Sequence, residues 1–340
     1  MSLRAAVRSL AYRWGAMDLF HRTSHSECLT VVMFHRVLPG KERERMEADP
    51  LYTVTPELLL EIATFLKQNY AVIGIKDVIS SLNRERPLPP RPVLVTFDDG
   101  WRDNLEWAMP ALRGIPWVLF VAADAVSEPE YWWQEVLLWA LRTGQASFGE
   151  LWEAATPAGV ESEGVVNRPD ILALLIRYGD LAPDRRRTVL VPLETVLRSR
   201  CNKRHMLSTA ELAALQKNGV SIGSHGASHL PFTIMTDPAG DLMRAMQWLR
   251  KLQGTPVLSF PHGRYNATVL RAARELACAA IFTSDPVLNP CPGGWLQSDL
   301  IGRVSMIPAN VTDNAGRFAP DRLASQLYLR DVASPTGRAA

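Results

Sequence analysis

Thr96-Phe97-Asp98-Asp99-Gly100-Trp101-Arg102-Asp103-Asn104 stands directly after the apolar run Val93-Leu94-Val95. Beyond it Leu105, Ala108, Met109 and Leu112 recur at helical spacing. The pattern predicts a strand that delivers two adjacent carboxylates at its C-terminal end, then a glycine turn into an amphipathic helix. Adjacent acids repel one another. The pair therefore suits either a solvated turn with a helix-capping aspartate, or a site where a cation takes one carboxylate while the other titrates. The rest of the chain decides between the two.

Working outward, the same strand-then-polar pattern repeats. Leu29 to Phe34 reads as a buried strand ending at His35-Arg36. Thr55-Pro56-Glu57 opens a helix whose buried face is Leu58, Leu59, Ile62, Phe65 and Leu66. A strand at Ala71 to Ile75, a short helix around Val78 and a proline-rich connector, Pro87 to Pro92, precede the central strand. After it comes the strand Pro116 to Val121. From about residue 127 to 206 the rhythm breaks into helical stretches, Tyr131 to Leu141, Leu172 to Tyr178 and Val189 to Leu197, with loops at Thr156 to Asp170 and Gly179 to Arg187. This is expected to be a helical insertion over one end of the core. Its Trp132, Trp133 and Trp139 suit either packing or stacking on a sugar ring.

Alternation then resumes. Ser208-Thr209-Ala210-Glu211 is a capping box, and the helix it opens closes at Gly219. The strand Val220 to Gly223 runs into Ser224-His225-Gly226-Ala227-Ser228-His229, and Val257 to Phe260 meets Pro261-His262-Gly263. Strands at Ala279 to Thr283 and Gly302 to Ile307 complete the series. Strand and helix alternating in this way imply parallel pairing, and the expectation is an α/β fold, a distorted (β/α) barrel of about seven to eight strands with a helical insertion, in preference to an open doubly wound sheet. The expected divisions are an N-terminal basic amphipathic segment (1–28), the barrel (29–310, with the insertion at 127–206) and a C-terminal tail (311–340).

Composition narrows the function. The 340 residues suffice for one large α/β core or two smaller ones. Four scattered cysteines, Cys28, Cys201, Cys278 and Cys291, form no Cys-x-x-Cys pair and read as reduced thiols. With 37 basic and 35 acidic residues there is no global signal for nucleic acid, which is not expected as a partner. No apolar run approaches the ~20 residues that span a bilayer. Residues 1–22 lack an apolar signal-peptide core, so a cytoplasmic protein is expected. Leu3, Val7, Leu10, Trp14 and Leu19, set among Arg4, Arg8, Arg13 and Arg22, fit a helix packed on the domain or a peripheral contact with a membrane surface.

Chemistry concentrates at the strand ends: His35, Asp98, Asp99, His225, His229 and His262. Four of the chain's seven histidines lie there. In a parallel barrel these ends share one face, the face that carries active sites. His225 and His229 stand at i, i+4, the spacing of zinc-binding imidazoles on a helical turn, although Gly226 suits a tight turn equally well. Two imidazoles and one carboxylate leave a coordination position for water, whose pKa zinc lowers to about 7. A neighbouring carboxylate can accept that water's proton, and a histidine can protonate a leaving amine. The residues point to metal-assisted hydrolysis of an amide or ester.

With these motifs in place the chain resembles the polysaccharide deacetylases of carbohydrate esterase family 4, the NodB-homology fold. The family's Thr-Phe-Asp-Asp-Gly motif stands at Thr96 to Gly100 and its His-x-x-x-His motif at His225 to His229. The resemblance implies Asp98 as general base, Asp99, His225 and His229 as metal ligands, and the backbone N–H of His262 as an oxyanion donor. Gly226 replaces the Ser or Thr that commonly braces the second motif, with Ser228 as a substitute. At Ser259-Phe260-Pro261-His262-Gly263 the arginine that orients the base in the family is absent. The late Leu-x-His motif is also missing, and Met33-Phe34-His35 looks like its permuted form, making His35 the general-acid candidate and His262 the alternative. The activity implied by the resemblance is removal of an N-acetyl group from an amino sugar in a polysaccharide, oligosaccharide or glycan precursor by metal-activated water. The implied cofactor is a divalent metal, zinc first and cobalt or nickel as alternatives. Other readings are deformylation or deacylation of a lipid-linked sugar or small metabolite, and glycan binding without turnover.

Overall fold

The computed structural model describes residues 3–127, 131–156, 170–200 and 204–333. Its centre is a sheet in which Cys28–Phe34, Pro92–Phe97, Trp117–Val121, Ser221–Ser224, Val257–Ser259 and Ala280–Phe282 follow one another as parallel neighbours. Closure comes from the last extended segment. Leu300–Ile301 pairs with Ala280–Phe282, and a few residues on, Val304–Ser305 pairs with Val32 and Met33 of the first strand. Gly302 allows the jump: a Cβ there would lie 2.4 Å from Val287 Cγ2 and 2.7 Å from the Asp285 carbonyl. The result is the nearly closed, barrel-like sheet expected from the sequence. Asn289–Pro290 adds a short antiparallel partner at the start of the first strand, and Ala71–Val72 pairs with the start of Pro92–Phe97.

Alternation along the strands sorts side chains into two layers. Leu29, Val31, Leu94, Val118, Phe120, Val257, Ala280, Phe282 and Ile301 cluster together, whereas Val32, Phe34, Val93, Val95, Phe97, Leu119 and Ile281 join the surrounding helices in the largest cluster. Helices such as Pro56–Asn69, which Thr55 caps by accepting from the Leu58 N–H, supply the outer layer.

The insertion has its own apolar cluster. Trp132, Trp133, Trp139, Leu151, Leu174, Leu175, Tyr178, Leu190 and Leu197 pack together and meet the barrel at Trp101. Its described helices are Trp133–Arg142, Phe148–Ala154, Ile171–Gly179 and Pro183–Arg200. The loop expected over Gly179 to Arg187 is therefore half helix, because Pro183 is tolerated in the first turn and the chain continues helical from there. Most of the other expected loop, 157–169, and Cys201 lie outside the described residues. Cys28, Cys278 and Cys291 are free and buried.

Two further expectations are corrected. Behind the central strand the chain opens with a wider π-type turn over Asn104–Ala108 before one ordinary turn at Met109–Ala111, not a regular helix. The segment expected to be a tail contains the helix Pro320–Tyr328, with Leu323, Ala324, Leu327 and Tyr328 buried. It packs against the N-terminal helices Leu3–Arg13 and Ala16–Ser24, where His21 stacks on Tyr328 at 4.3 Å. One face of the N-terminal pair thus packs on the domain, while Val7, Leu10, Trp14 and Leu19 remain exposed. No helix among the described residues is long and apolar enough to cross a membrane.

Candidate active site

The C-terminal strand ends open into a pocket of about 720 Å³ lined by His35, Asp98, Asp99, His225, His229 and His262, so all six strand-end residues converge. Trp132 is the one tryptophan of the three singled out that lines it. Trp133 packs on Tyr178, and Trp139 is buried, its indole N–H donating to Glu47 Oε2 at 2.9 Å.

Asp98 lies beneath the pocket floor, 2 % exposed. Arg303, on the segment that closes the barrel, donates Nη1 to Oδ1 at 2.7 Å and Nη2 to Oδ2 at 2.8 Å. Every N–H of this fully buried guanidinium is used: the others go to Thr96 Oγ1 (3.3 Å), Ser259 Oγ (2.7 Å) and the Thr283 carbonyl (2.9 Å). Burial alone would push the Asp98 carboxyl up. The guanidinium outweighs it, so the acid sits below its ordinary value and is ionised at neutral pH. Asp98 is thus held by an arginine from the closing segment, although the third motif carries none. The sequence signal of Arg303 is a single charge in the mostly apolar stretch Leu300 to Met306, between the two short strands Leu300–Ile301 and Val304–Ser305.

Asp99, His225 and His229 form the one group of metal-ligating side chains found among the described residues, with their ligand atoms within 4.8 Å of one another. His225 and His229 Nε2 lie 3.4 and 3.1 Å from Asp99 Oδ1. That oxygen is buried and accepts no hydrogen bond, whereas Oδ2 accepts the Trp101 indole N–H at 2.8 Å. Both imidazoles are turned the same way. His225 Nδ1 meets the Ser259 carbonyl at 2.9 Å and His229 Nδ1 meets Gln134 Oε1 at 2.8 Å. Each Nδ1 must donate, which leaves a lone pair on each Nε2 facing the carboxylate. Such a cluster is repulsive unless a cation sits within it. The separations of 3.1 and 3.4 Å are short enough for one ion to be shared by the carboxylate and either imidazole. The residues fit a divalent metal. Burial pushes His225 down to about 4, keeping it neutral as a ligand must be.

The local backbone explains why these side chains meet. His225 and His229 sit not on a helix but in a turn after Ser221–Ser224, with Gly226 at φ 75° and His229 at φ 59°. Asp241 takes the bracing role: its carboxylate accepts from the Ala227 N–H (2.8 Å) and the Ser228 N–H (3.0 Å). Ser228 Oγ adds a contact from the Leu230 N–H at 3.3 Å. Asp99 (φ 78°) and His262 (φ 55°) are also left-handed, a conformation that costs on the order of 1–3 kcal/mol per non-glycine residue and concentrates at functional sites.

His35 follows the first strand beside Asp98, since Phe34 pairs with Phe97. Its ring faces Tyr52 at 4.8 Å, and its carbonyl accepts Asn104 Nδ2 at 2.9 Å. Arg36 beside it lies 4.1 Å above the Trp101 ring and pairs with Asp103 at 2.9 Å. The end of the opening motif therefore anchors the His35 segment. His262 lies against His229, ring centroids 4.7 Å apart, with Nε2 3.2 Å from the His229 carbonyl. Its own backbone N–H is not used by the turn's bonds, which run from Gly263 to Phe260 and from Arg264 to Pro261.

Sequence comparison finds no match among curated proteins. A family model described as polysaccharide deacetylase matches residues 194–281, which include both metal-site histidines and His262. Among solved structures, the deacetylase PplD of Streptococcus pyogenes, determined with acetate, superposes with a TM-score of 0.54 at 15 % identity, covering 88 % of this chain and 98 % of its own. IcaB from Ammonifex degensii gives 0.54 at 18 % over 88 % and 97 %. A de-N-acetylase from Aggregatibacter actinomycetemcomitans gives 0.52 at 16 % over 81 % and 94 %. The structural likeness establishes the fold, and the match to the polysaccharide deacetylase family model falls on the segment that carries the histidine motif.

Proposed function

We propose that the protein is a metal-dependent carbohydrate de-N-acetylase, acting on an N-acetylated amino sugar of a polysaccharide, oligosaccharide or glycan precursor. The observation that carries this reading is the unpartnered Asp99 oxygen facing two imidazole lone pairs, beside a second carboxylate locked by Arg303. Asp99, His225 and His229 would hold a divalent ion, which would supply Lewis acidity to lower the pKa of water and polarise the amide carbonyl.

The chain's own residues do the rest. Asp98, kept ionised by Arg303, takes the proton of the attacking water. The N–H of His262 is positioned to donate to the oxygen of the tetrahedral intermediate. His35 gives a proton to the departing amine. His262 is the weaker acid candidate, because its Nε2 is engaged by the His229 carbonyl and burial, followed by its imidazole neighbours, pushes its pKa down.

Metal analysis with acetate release from N-acetylglucosamine oligomers tests the reading. The expected result is about one equivalent of zinc, cobalt or nickel and acetate release abolished by chelation. A protein that takes up no metal after reconstitution would move the assignment to a glycan-binding protein.

A second reading keeps the chemistry and places the sugar on a lipid carrier. It is favoured by the aliphatic side chains Leu138, Ile171, Leu172 and Leu175 of the insertion, which line the same pocket. Preference for a lipid-linked over a soluble amino sugar in a substrate panel supports it. We also propose a cytoplasmic site of action, for which a precursor is the fitting substrate, and detection of the protein outside the cell breaks that part.

A further inference from the structure

One contact at the metal cluster comes from outside the barrel. Gln134 lies on the insertion helix Trp133–Arg142, is 2 % exposed, and uses both ends of its amide. Nε2 donates to the Ser228 carbonyl at 3.0 Å, and Oε1 accepts from His229 Nδ1 at 2.8 Å. The polarity of this chain of bonds is forced. A backbone carbonyl only accepts, so the amide nitrogen must face Ser228 and the amide oxygen must face His229. The imidazole must then carry a proton on Nδ1, and in the neutral ring that a metal ligand requires Nε2 is bare and faces Asp99. His225 gets the same instruction from the Ser259 carbonyl, a part of the barrel itself. His229 gets it only from the insertion.

We propose that Gln134 is a positioning residue that sets the tautomer and the angle of the His229 ring, making the insertion a working part of the metal site. Trp132, the neighbouring insertion residue, holds the same ring edge-on at 4.7 Å, so rotation and tilt are both constrained from that side. His229 needs such support because its backbone is left-handed at φ 59° and its turn has no helical hydrogen bonds to fix the ring. This inference rests on the assignment of Asp99, His225 and His229 as a metal site.

The test compares Gln134→Leu, which removes both polar ends at similar size, with Gln134→Glu, which keeps an acceptor for His229 Nδ1. Zinc affinity is read by competition with a chromogenic chelator, and the ligand field by the visible absorption of the cobalt-loaded protein. Loss of a hydrogen-bond partner to a metal-bound histidine weakens affinity by about 10–100-fold. Gln134→Leu is expected to show that loss with an altered cobalt spectrum and unchanged far-UV circular dichroism, and Gln134→Glu to stay near the wild type. Affinity within about threefold of wild type in a folded Gln134→Leu overturns the proposal. Should that variant fail to fold, proton–nitrogen correlation of the imidazoles in metal-free wild type decides alone: an Nδ1 proton on His229 hydrogen-bonded to Gln134 supports the proposal, and a His229 ring protonated on Nε2 alone overturns it. That reading needs no bound metal, so it separates failure of the Gln134 contact from failure of the metal assignment.

Discussion

The two halves of the active site are built by different means. On the barrel side, Asp98 and His225 are fixed by groups the fold cannot do without: a strand carbonyl at Ser259 and the guanidinium of the closing segment. On the other side, His229 is held by Gln134 and Trp132 from the insertion, and Asp99 by Trp101, whose ring belongs to the insertion's apolar cluster. Asp98, the proposed base, therefore inherits its environment from the architecture, whereas part of the proposed ligand set depends on an appended element. Changes on the barrel side should cost both stability and chemistry. Changes on the insertion side should mainly grade metal affinity.

The largest effect is expected where the halves share an atom. Asp99→Ala removes the carboxylate faced by both imidazoles, and the variant should hold no stoichiometric zinc and lose at least about 10³-fold in acetate release, the several kcal/mol a Lewis acid provides. Asp98→Asn should retain the metal and still lose about 10²–10⁴-fold in kcat, the usual contribution of a positioned base. Unchanged turnover in Asp98→Asn would remove the base from the mechanism. His35→Gln should cost a similar factor in kcat. A larger effect in His262→Ala would exchange the two roles.

Arg303→Met probes the barrel side through stability. It leaves the Asp98 carboxylate buried without its partner, a change that destabilises by about 3–5 kcal/mol, measured by denaturant unfolding. The pH dependence has a definite sign. Asp98 is held below its unfolded value, so the pair stabilises the fold above that value and stability falls as pH drops through the depressed folded pKa. Without Arg303, the strongest group that opposes the effect of burial is gone. The acidic limb of the rate profile should then move to higher pH, and an unmoved limb would mean that Arg303 does not tune the base.

The same contrast governs what the sequence reveals by itself. Strands, strand ends and the six pocket residues are legible because alternation and polar punctuation are local signals. Arg303 is not, since a lone arginine in a terminal strand says nothing about which of the neighbouring strand ends it will meet once the barrel closes, and Asp98 is 205 positions away. Gln134 carries still less signal: it sits among tryptophans on a helix, and its partner is 95 residues on. The helix Pro320–Tyr328 escapes a motif-led reading although Leu323, Ala324 and Leu327 mark an apolar face, because a segment beyond the last motif reads as a tail. Motif reading finds the side chains that line the pocket. It misses those that hold them, whose identity is set by contacts between distant elements.

Trp101 tests whether the insertion side behaves as one unit. Its indole N–H is the donor to Asp99 Oδ2, while its ring lies edge-on to Trp132 at 5.6 Å and under the Arg36 guanidinium. Trp101→Phe keeps most of the packing and deletes the donor, so the expected cost is that of one hydrogen bond to a charged acceptor, about 1.5–3 kcal/mol before solvent or the metal compensates. In zinc affinity this should appear as a loss of about tenfold, smaller than that of any ligand substitution. The informative measurement is the double variant with Gln134→Leu. If the two residues orient Asp99 and His229 independently, their losses add. If Trp101, Trp132 and Gln134 form one supporting wall, the second substitution costs less than it does alone, with a coupling on the order of 0.5 kcal/mol or more for residues in one contact network. Additive losses would reduce the insertion to two separate contacts. A clear coupling would make it a single device for tuning the metal site from outside the barrel.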